Sequence, residues 1–196
     1  GDRTFCAGAS FDELITITNS EDGKKFFLGF AHVINAMRKC PKIIICRVHG
    51  KAIGGGVGIA AAADYCMATN YGTIKLSELA LGIGPFVIGP AVERKIGLSA
   101  FSQLALNATE WQTALWAKEK GLYHEVFDSI EQLDAYVDEL SQRLAATSSS
   151  ALLALKQALW HDTQHWDQLL EERAGISGRL VITEASQKAI RESKIV

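Results

Sequence analysis

The chain has 196 residues, of which 48% are hydrophobic and 21% are charged, and its formal net charge at pH 7 is −2. This length and apolar content suit one globular domain with a substantial core. The sequence has no basic block and no apolar run long enough to span a bilayer, which argues against nucleic acid or a membrane as a partner.

The first part of the chain alternates predicted helices and strands. Apolar residues recur with a helical period over 22–40, which predicts an amphipathic helix that ends at the following proline. Residues 42–50 are a short β-branched run typical of a buried strand. A small-residue helix is expected over 56–63, followed by strands over 64–69 and 72–78. Strand, helix and strand in this order predict a right-handed crossover in a largely parallel sheet.

The rest of the chain is almost all helical by its pattern. Residues 124–127 are the one extended piece, and Ser129 stands where an N-cap is expected. The predicted helices cover 99–108, 110–121, 129–147, 148–162, 164–180 and 183–193. We therefore divide the chain into an α/β core over residues 1–125 and a helical region over 126–196.

The four cysteines, Cys6, Cys40, Cys46 and Cys66, lie among apolar or small residues and form no C-x-x-C pair. A disulfide framework is not expected in a chain of this size. We therefore expect buried free thiols and a reducing compartment, the cytoplasm.

Three consecutive glycines, Gly54, Gly55 and Gly56, precede the small-residue helix. They could serve close packing of the helix on a strand. A phosphate loop is poorly supported, because neither G-x-G-x-x-G nor G-x-x-x-x-G-K-[ST] is present. The third interpretation is an oxyanion hole, because a helix N-terminus offers free N–H groups and a favourable dipole. The small-residue turn over 7–9 could supply a second donor.

Three segments, "FCAGASFDEL", "AIGGGVGIAAAADYCMAT" and "SELALGIGP", together resemble the enoyl-CoA hydratase/isomerase (crotonase) family. The resemblance implies an α/β fold, a spiral of ββα units followed by a helical trimerisation region, and assembly as a homotrimer or a hexamer. It implies an acyl-CoA thioester as substrate, with no cofactor besides the coenzyme A that the substrate carries. The family also has an N-terminal portion of strands and a helix, so we expect this chain to correspond to the larger C-terminal part.

The resemblance also assigns roles to individual residues. The backbone N–H groups of Ala9 and Gly55 are expected to hold the thioester oxygen and so stabilise an enolate. The residues expected to contact substrate are Cys6, Ala7, Gly8, Gly54, Gly58, Phe86 and Lys156. Phe86 could equally belong to an ordinary core, and Lys156, placed by resemblance near the CoA phosphates, could equally be a solvated lysine.

Hydratases of this family use two glutamates, and here only one is in place. The corresponding positions hold Gly58 and Glu78. Holding a water molecule from two sides calls for both carboxylates, whereas moving a double bond needs one base that takes and returns a proton. We therefore favour isomerisation by Glu78, whose pKa an apolar pocket would raise. Hydration is the second hypothesis, and a non-catalytic acyl-CoA-binding protein is the third.

Several other residues that could carry chemistry are expected to have structural roles instead. Asp64 is expected to cap or pin the backbone, and His49 to be structural. His161 and His165 stand four residues apart on a predicted helix, but no third metal ligand is evident, so we expect no metal site. The four tryptophans are expected in the core or at a subunit interface.

Overall fold

The computed structural model describes residues 3–194, in which six strands form two parallel sheets. One sheet has the order β1-β3-β5 and the other β2-β4-β6. The strands are β1 (Thr4–Cys6), β2 (Ile45–Val48), β3 (Lys51–Ile53), β4 (Tyr65–Thr69), β5 (Ile74–Lys75) and β6 (Glu125–Phe127). Successive strands therefore alternate between the two sheets.

The prediction of a single strand over 42–50 is wrong. Only its middle forms β2, and the chain then turns at Gly50, whose φ of +83° suits glycine. The three residues after the turn form β3, which pairs with β1 in the other sheet. The prediction also missed β1, because three residues are too few to show an alternating pattern.

Nine α-helices lie in the described range. They are α1 (Phe11–Leu14), α2 (Ser20–Lys39), α3 (Gly55–Ala62), α4 (Gly89–Leu106), α5 (Ala114–Glu119), α6 (Ile130–Ala145), α7 (Ser149–Leu159), α8 (Trp166–Val181) and α9 (Glu184–Lys194). The predicted helix over 99–108 is only the second half of α4, which is broken at Gly97 (φ +77°). Ser129 caps α6 by accepting the backbone N–H of Gln132, as its position predicted, and Ser148 caps α7 by accepting that of Ala151.

The C-terminal helices pack against the α/β part through a close crossing of α2 and α8. A Cβ atom on Gly23 of α2 would lie 2.7 Å from the carbonyl oxygen of Gly178 on α8. The division expected after residue 125 falls inside β6, which pairs with β4. The helical region thus rests on the core that it follows.

The sheet β1-β3-β5 brings the three sequence segments together. Its strands are parallel, so their carboxyl ends lie at one edge. The turn over 7–9 follows β1, the glycine run and α3 follow β3, and Glu78 follows β5. This edge is therefore where the predicted site residues can meet.

The four cysteines are free thiols, of which Cys46 and Cys66 are buried and Cys6 and Cys40 are half-buried. Within residues 3–194, no helix is long and apolar enough to cross a membrane.

Candidate active site

A cavity of about 490 Å³ lies at the carboxyl edge of the sheet β1-β3-β5. Most of its wall is apolar, as in typical ligand pockets. The predicted residues that line it are Ala7, Gly8, Ala9, Gly54, Gly55, Glu78 and Phe86. The three segments singled out in the sequence therefore form one site.

The glycine run is packed tightly on three sides. Gly54 has φ +52° and ψ −115°, and a Cβ atom there would lie 2.8 Å from Glu78 Oε1. A Cβ on Gly55 would overlap the ring of Phe30, and one on Gly56 would lie 2.8 Å from Cys6 Cβ. The packing interpretation of the glycines is thus supported, and the same packing brings the backbone of Gly54 and Gly55 to the cavity.

Two backbone N–H groups at the cavity wall have no acceptor within the described part of the chain. Gly55 is the first residue of α3, so its N–H has no partner within the helix. Among residues 3–194, neither this N–H nor that of Ala9 donates a hydrogen bond. The two segments are close, because a Cβ on Gly8 would lie 3.9 Å from Gly55 N. Both N–H groups are therefore available to donate hydrogen bonds to an oxygen atom of a bound ligand.

Glu78 points its carboxyl group into this apolar environment. Although the residue as a whole is half-buried, Oε2 is shielded from solvent and has no hydrogen-bond partner in the described part of the chain. Burial raises the pKa of Glu78 to about 7, in the predicted direction. The Glu78 carbonyl oxygen accepts the N–H groups of Leu81 (3.1 Å) and Ile83 (3.0 Å), which fixes the backbone next to the carboxyl group.

Two residues predicted to contact substrate lie behind the cavity wall. Cys6 packs against Gly56, and Gly58 packs against Ile88, where a Cβ on Gly58 would lie 2.5 Å from Ile88 Cγ2. Neither lines the cavity, which corrects the prediction. Ile88 lines it instead and is 4% exposed. An apolar side chain thus fills the space beside Gly58.

The prediction for Lys156 is wrong in a more basic way. This lysine is 2% exposed, and its Nζ donates to Asp64 Oδ2 (2.6 Å) and to Met37 O (2.9 Å). Asp64 also accepts hydrogen bonds from Ile44 N and Trp160 Nε1, both at 2.7 Å. The ammonium group is therefore committed to a buried ion pair and cannot reach phosphates. The same contacts confirm that Asp64 pins the backbone.

The histidines singled out in the sequence lie away from the cavity. His49 Nδ1 is 3.5 Å from Thr69 Oγ1, and His161 Nε2 is 3.2 Å from the carboxylate of Asp162. His165 is exposed at the start of α8. Within the described residues, no three His, Cys, Asp or Glu side chains are grouped so as to hold a metal ion.

Several cavity residues were not identified as such from the sequence. The periodicity of α2 marks Phe27 and Phe30 as apolar, but it cannot say which apolar positions face a cavity. Ser177 lines the cavity because α8 crosses α2 at the neighbouring Gly178. Lys75 and Thr109 carry no motif signal at all. The other lining residues missed are Phe11, Leu14, Ile53, Ser77, Ala80, Leu81, Ile83, Gly84, Pro85, Val87, Ile88, Ala108 and Ser193.

A sequence model of the family described as enoyl-CoA hydratase/isomerase matches residues 1–195. The chain is 28% identical over 172 residues to the peroxisomal Delta(3,5)-Delta(2,4)-dienoyl-CoA isomerase of Arabidopsis thaliana, which covers 80% of this chain and 60% of that protein. It is 30% identical over 151 residues to an enoyl-CoA hydratase of Alternaria alternata, with 76% and 49% covered. It is 24% identical over 195 residues to the trans-2-decenoyl-(acyl-carrier-protein) isomerase of Streptococcus mutans, with 96% and 73% covered. The chain thus spans 60% and 49% of the length of the first two relatives.

Solved structures of enoyl-CoA hydratases have a fold similar to that of this chain. An enoyl-CoA hydratase from Bacillus halodurans superposes with a TM-score of 0.86 at 20% identity, covering 98% of this chain and 78% of that chain. An enoyl-CoA hydratase from Mycobacterium avium gives 0.84 at 24%, with 100% and 73% covered. At these identities the similarity is evidence for the fold alone, and it confirms the predicted fold class.

Proposed function

The chain belongs to the enoyl-CoA hydratase/isomerase family, and from that membership we propose that it moves the double bond of an enoyl-CoA thioester from the 3-position to the 2-position. One observation carries the proposal. Glu78 is the only acidic side chain among the described residues that line the cavity. Its raised pKa of about 7 suits a group that must both take and return a proton near neutral pH.

In the proposed reaction, backbone N–H groups stabilise the developing negative charge and Glu78 transfers the proton. The thioester carbonyl oxygen accepts the N–H groups of Ala9 and Gly55, which stabilise it as negative charge develops. Glu78 removes a proton from the α-carbon, and the electrons of that C–H bond spread into a dienolate. The same carboxyl group then delivers the proton to the γ-carbon, so that the double bond ends conjugated to the thioester. Each well-placed donor is worth about a hundredfold to a thousandfold in rate.

The packing around Gly58 supports isomerisation over hydration. A carboxylate at this position would have to displace Ile88, whose Cβ would lie 2.7 Å from a Cβ on Gly58. With an isoleucine in that space, no second acidic side chain among residues 3–194 lines the cavity to help Glu78 hold a water molecule. A single group that shuttles a proton needs no such counterpart.

Hydration is the second candidate, and a separate observation favours it. The hydroxyl-bearing residues Ser77 and Thr109 line the same cavity and could hold a water molecule in place of a second carboxylate. One relative is named an enoyl-CoA hydratase. A binding protein without catalysis is the third possibility, and a functional test of Glu78 separates it from both.

The first experiment gives the protein a 3-enoyl-CoA and follows the product by mass and by the absorbance of a conjugated thioester. A conjugated product of unchanged mass is the expected result, whereas a product heavier by one water would mean hydration. The variant Glu78→Gln should lose turnover and still bind acyl-CoA. Unchanged function in this variant would contradict both enzymatic proposals and favour the binding protein.

We also propose assembly as a homotrimer or hexamer and a cytoplasmic location. Assembly is supported by apolar side chains on α7, where Leu153, Leu155 and Leu159 are exposed. Exposed apolar groups on one helix are typical of a protein interface. The two buried cysteines, Cys46 and Cys66, are free thiols, which fits a reducing compartment.

A further inference from the structure

A second space, which we call the α2 groove, lies next to the cavity and has a volume of about 610 Å³. It is lined by residues of α1, α2 and α3 and of the segment between α1 and α2. The charged residues that line it, Glu13, Asp22 and Lys25, are exposed, so the groove opens to solvent. Its apolar side chains are Ile17, Phe26, Phe30, Val33 and Ile59.

Phe30 stands at the boundary between the cavity and the α2 groove. Among residues 3–194, it is the one residue that lines both spaces. The two preceding phenylalanines of α2 are divided between them, since Phe27 lines the cavity and Phe26 lines the groove. The rings of Phe26 and Phe27 meet edge to face, with their centres 5.3 Å apart. The helix α2 therefore contributes one aromatic side chain to each space and a third to the boundary.

The ring of Phe30 also lies close to the proposed thioester position. It packs so tightly on Gly55 that a Cβ atom there would overlap it. Phe30 is half-buried and packs against the hydrophobic core, whereas a Cβ on its exposed neighbour Gly29 would have no atom within 4 Å. An acyl group whose carbonyl oxygen accepts the N–H of Gly55 therefore begins beside the Phe30 ring.

The position of this ring has a consequence for acyl chains of different length. An acyl chain gains affinity from those of its methylene groups that leave water. Each methylene buried against apolar side chains strengthens binding by up to about fourfold. While the Phe30 ring separates the two spaces, only the cavity can bury methylenes. Without the ring, the apolar side chains of the α2 groove would become available to the end of the chain.

We propose that Phe30 determines which acyl chains the cavity accepts, by closing the cavity against the α2 groove and so limiting their length. The proposal rests on the proposed function only in that the acyl group of a thioester occupies the cavity. After removal of the ring, the occupant of the groove is the hydrocarbon end of that acyl group. The groove adjoins the cavity at Phe30, and Phe26, Val33 and Ile59 give it an apolar lining suited to that occupant.

The test is calorimetric titration with saturated acyl-CoAs from butyryl to dodecanoyl, below the concentrations at which they form micelles. For the wild type, affinity should rise with chain length and level off before dodecanoyl-CoA. For Phe30→Ala, the rise should continue for at least two more methylenes, so that dodecanoyl-CoA binds about tenfold tighter than to the wild type. Butyryl-CoA should bind both proteins with similar affinity. The control His32→Ala changes an exposed residue of α2 that lines neither space and should behave as the wild type.

Two further variants separate the groove from the space that the ring itself leaves. Val33 is 43% exposed and lines the α2 groove but not the cavity. In the double variant Phe30→Ala/Val33→Asp, a charge in the groove should cancel most of the gain for dodecanoyl-CoA. Phe30→Leu keeps an apolar side chain in the core and should extend the rise by less than Phe30→Ala does. It also provides the measurement if Phe30→Ala does not fold.

Three results would overturn the proposal. The first is a wild-type affinity that keeps rising through dodecanoyl-CoA, and the second is a rise that ends at the same chain length in the wild type and both Phe30 variants. The third is a gain that Val33→Asp leaves unchanged, because the extra methylenes would then fill only the space vacated by the ring.

Binding of saturated acyl-CoAs needs no turnover, which keeps this outcome distinct from failure of the proposed function. If the wild type does not isomerise 3-enoyl-CoAs but the Phe30 variants show the expected binding pattern, the isomerase proposal fails and the role of Phe30 stands. If isomerisation is found but the chain-length limit does not move, the role of Phe30 fails and the isomerase proposal stands.

Discussion

At the scale of single residues, the raised pKa of Glu78, which suits the proposed proton transfer, also affects the stability of the fold. Its pKa rises from the ordinary 4.5 to about 7 because burial disfavours the charged form. The folded protein therefore holds the proton more tightly than the unfolded chain does between these two values. It follows that the free energy of unfolding falls as pH rises from about 4.5 to about 7 and is level above that.

Glu78→Gln removes this titration while keeping the shape of the side chain. We expect the variant to be more stable than the wild type at pH 8, by at most about 3 kcal/mol. At pH 4.5 the wild-type carboxyl group is protonated in the folded state, so the difference should largely vanish. Urea unfolding of both proteins at the two pH values measures it. A stability difference independent of pH would mean that Glu78 is not buried in a charged form at neutral pH.

The ion pair of Lys156 with Asp64 gives a second prediction at this scale. Removing one partner leaves a buried charge without compensation, so Lys156→Met should destabilise the fold by about 3 to 5 kcal/mol. Thermal or urea unfolding measures the loss. The protein that remains folded should bind acyl-CoA with unchanged affinity, because Lys156 does not line the cavity. A selective loss of CoA affinity with full stability would restore the original assignment of Lys156 to the phosphates.

At the scale of elements, the crossing of α2 and α8 determines how the helical region meets the site. Gly23 and Gly178 allow the two helices to approach until their backbones touch. This approach places Ser177 in the wall of the cavity that Phe27 of α2 also lines. The shape of the cavity thus depends on two residues that never touch the ligand.

Two glycines of α2 provide a matched pair of substitutions. Gly23→Ala should destabilise the protein by about 1 to 3 kcal/mol, because the added methyl group meets the backbone of α8. Gly29→Ala, on the same helix, has no atom within 4 Å of the added Cβ and should stabilise it by up to about 1 kcal/mol through helix propensity. Denaturant midpoints of the two variants give both values. Equal effects would mean that the crossing is looser than described.

Much of the site could be predicted because its residues follow strands in sequence. Ala9, Gly55 and Glu78 each come shortly after a strand, and parallel strands end at one edge. The strands themselves were harder to predict from the sequence. β5 has two residues and β1 has three, which is too few to show an alternating pattern. Lys156 could not be predicted, since its partner Asp64 is 92 positions away and only the fold brings the two together.

At the scale of the whole molecule, α7 lies at the surface and buries little of its own side-chain area. Only Lys156 is buried on this helix, and its side chain turns inward to Asp64 while Leu153, Leu155 and Leu159 remain exposed. A helix with one inward anchor and an apolar outer surface is stabilised when another subunit covers that surface. In a closed symmetric assembly each copy would present the same helix to its neighbour.

Leu155→Asp tests this arrangement, since a charge at a residue that is 51% exposed should leave the isolated subunit folded. Burying that charge in an interface is costly, so the variant should sediment as a monomer where the wild type sediments as a trimer or hexamer. Leu106→Asp, at a 71% exposed leucine of α4, serves as the control and should keep the assembly of the wild type. Sedimentation velocity measures all three proteins. If Leu106→Asp dissociates the assembly and Leu155→Asp does not, the subunits meet through α4 and not through α7.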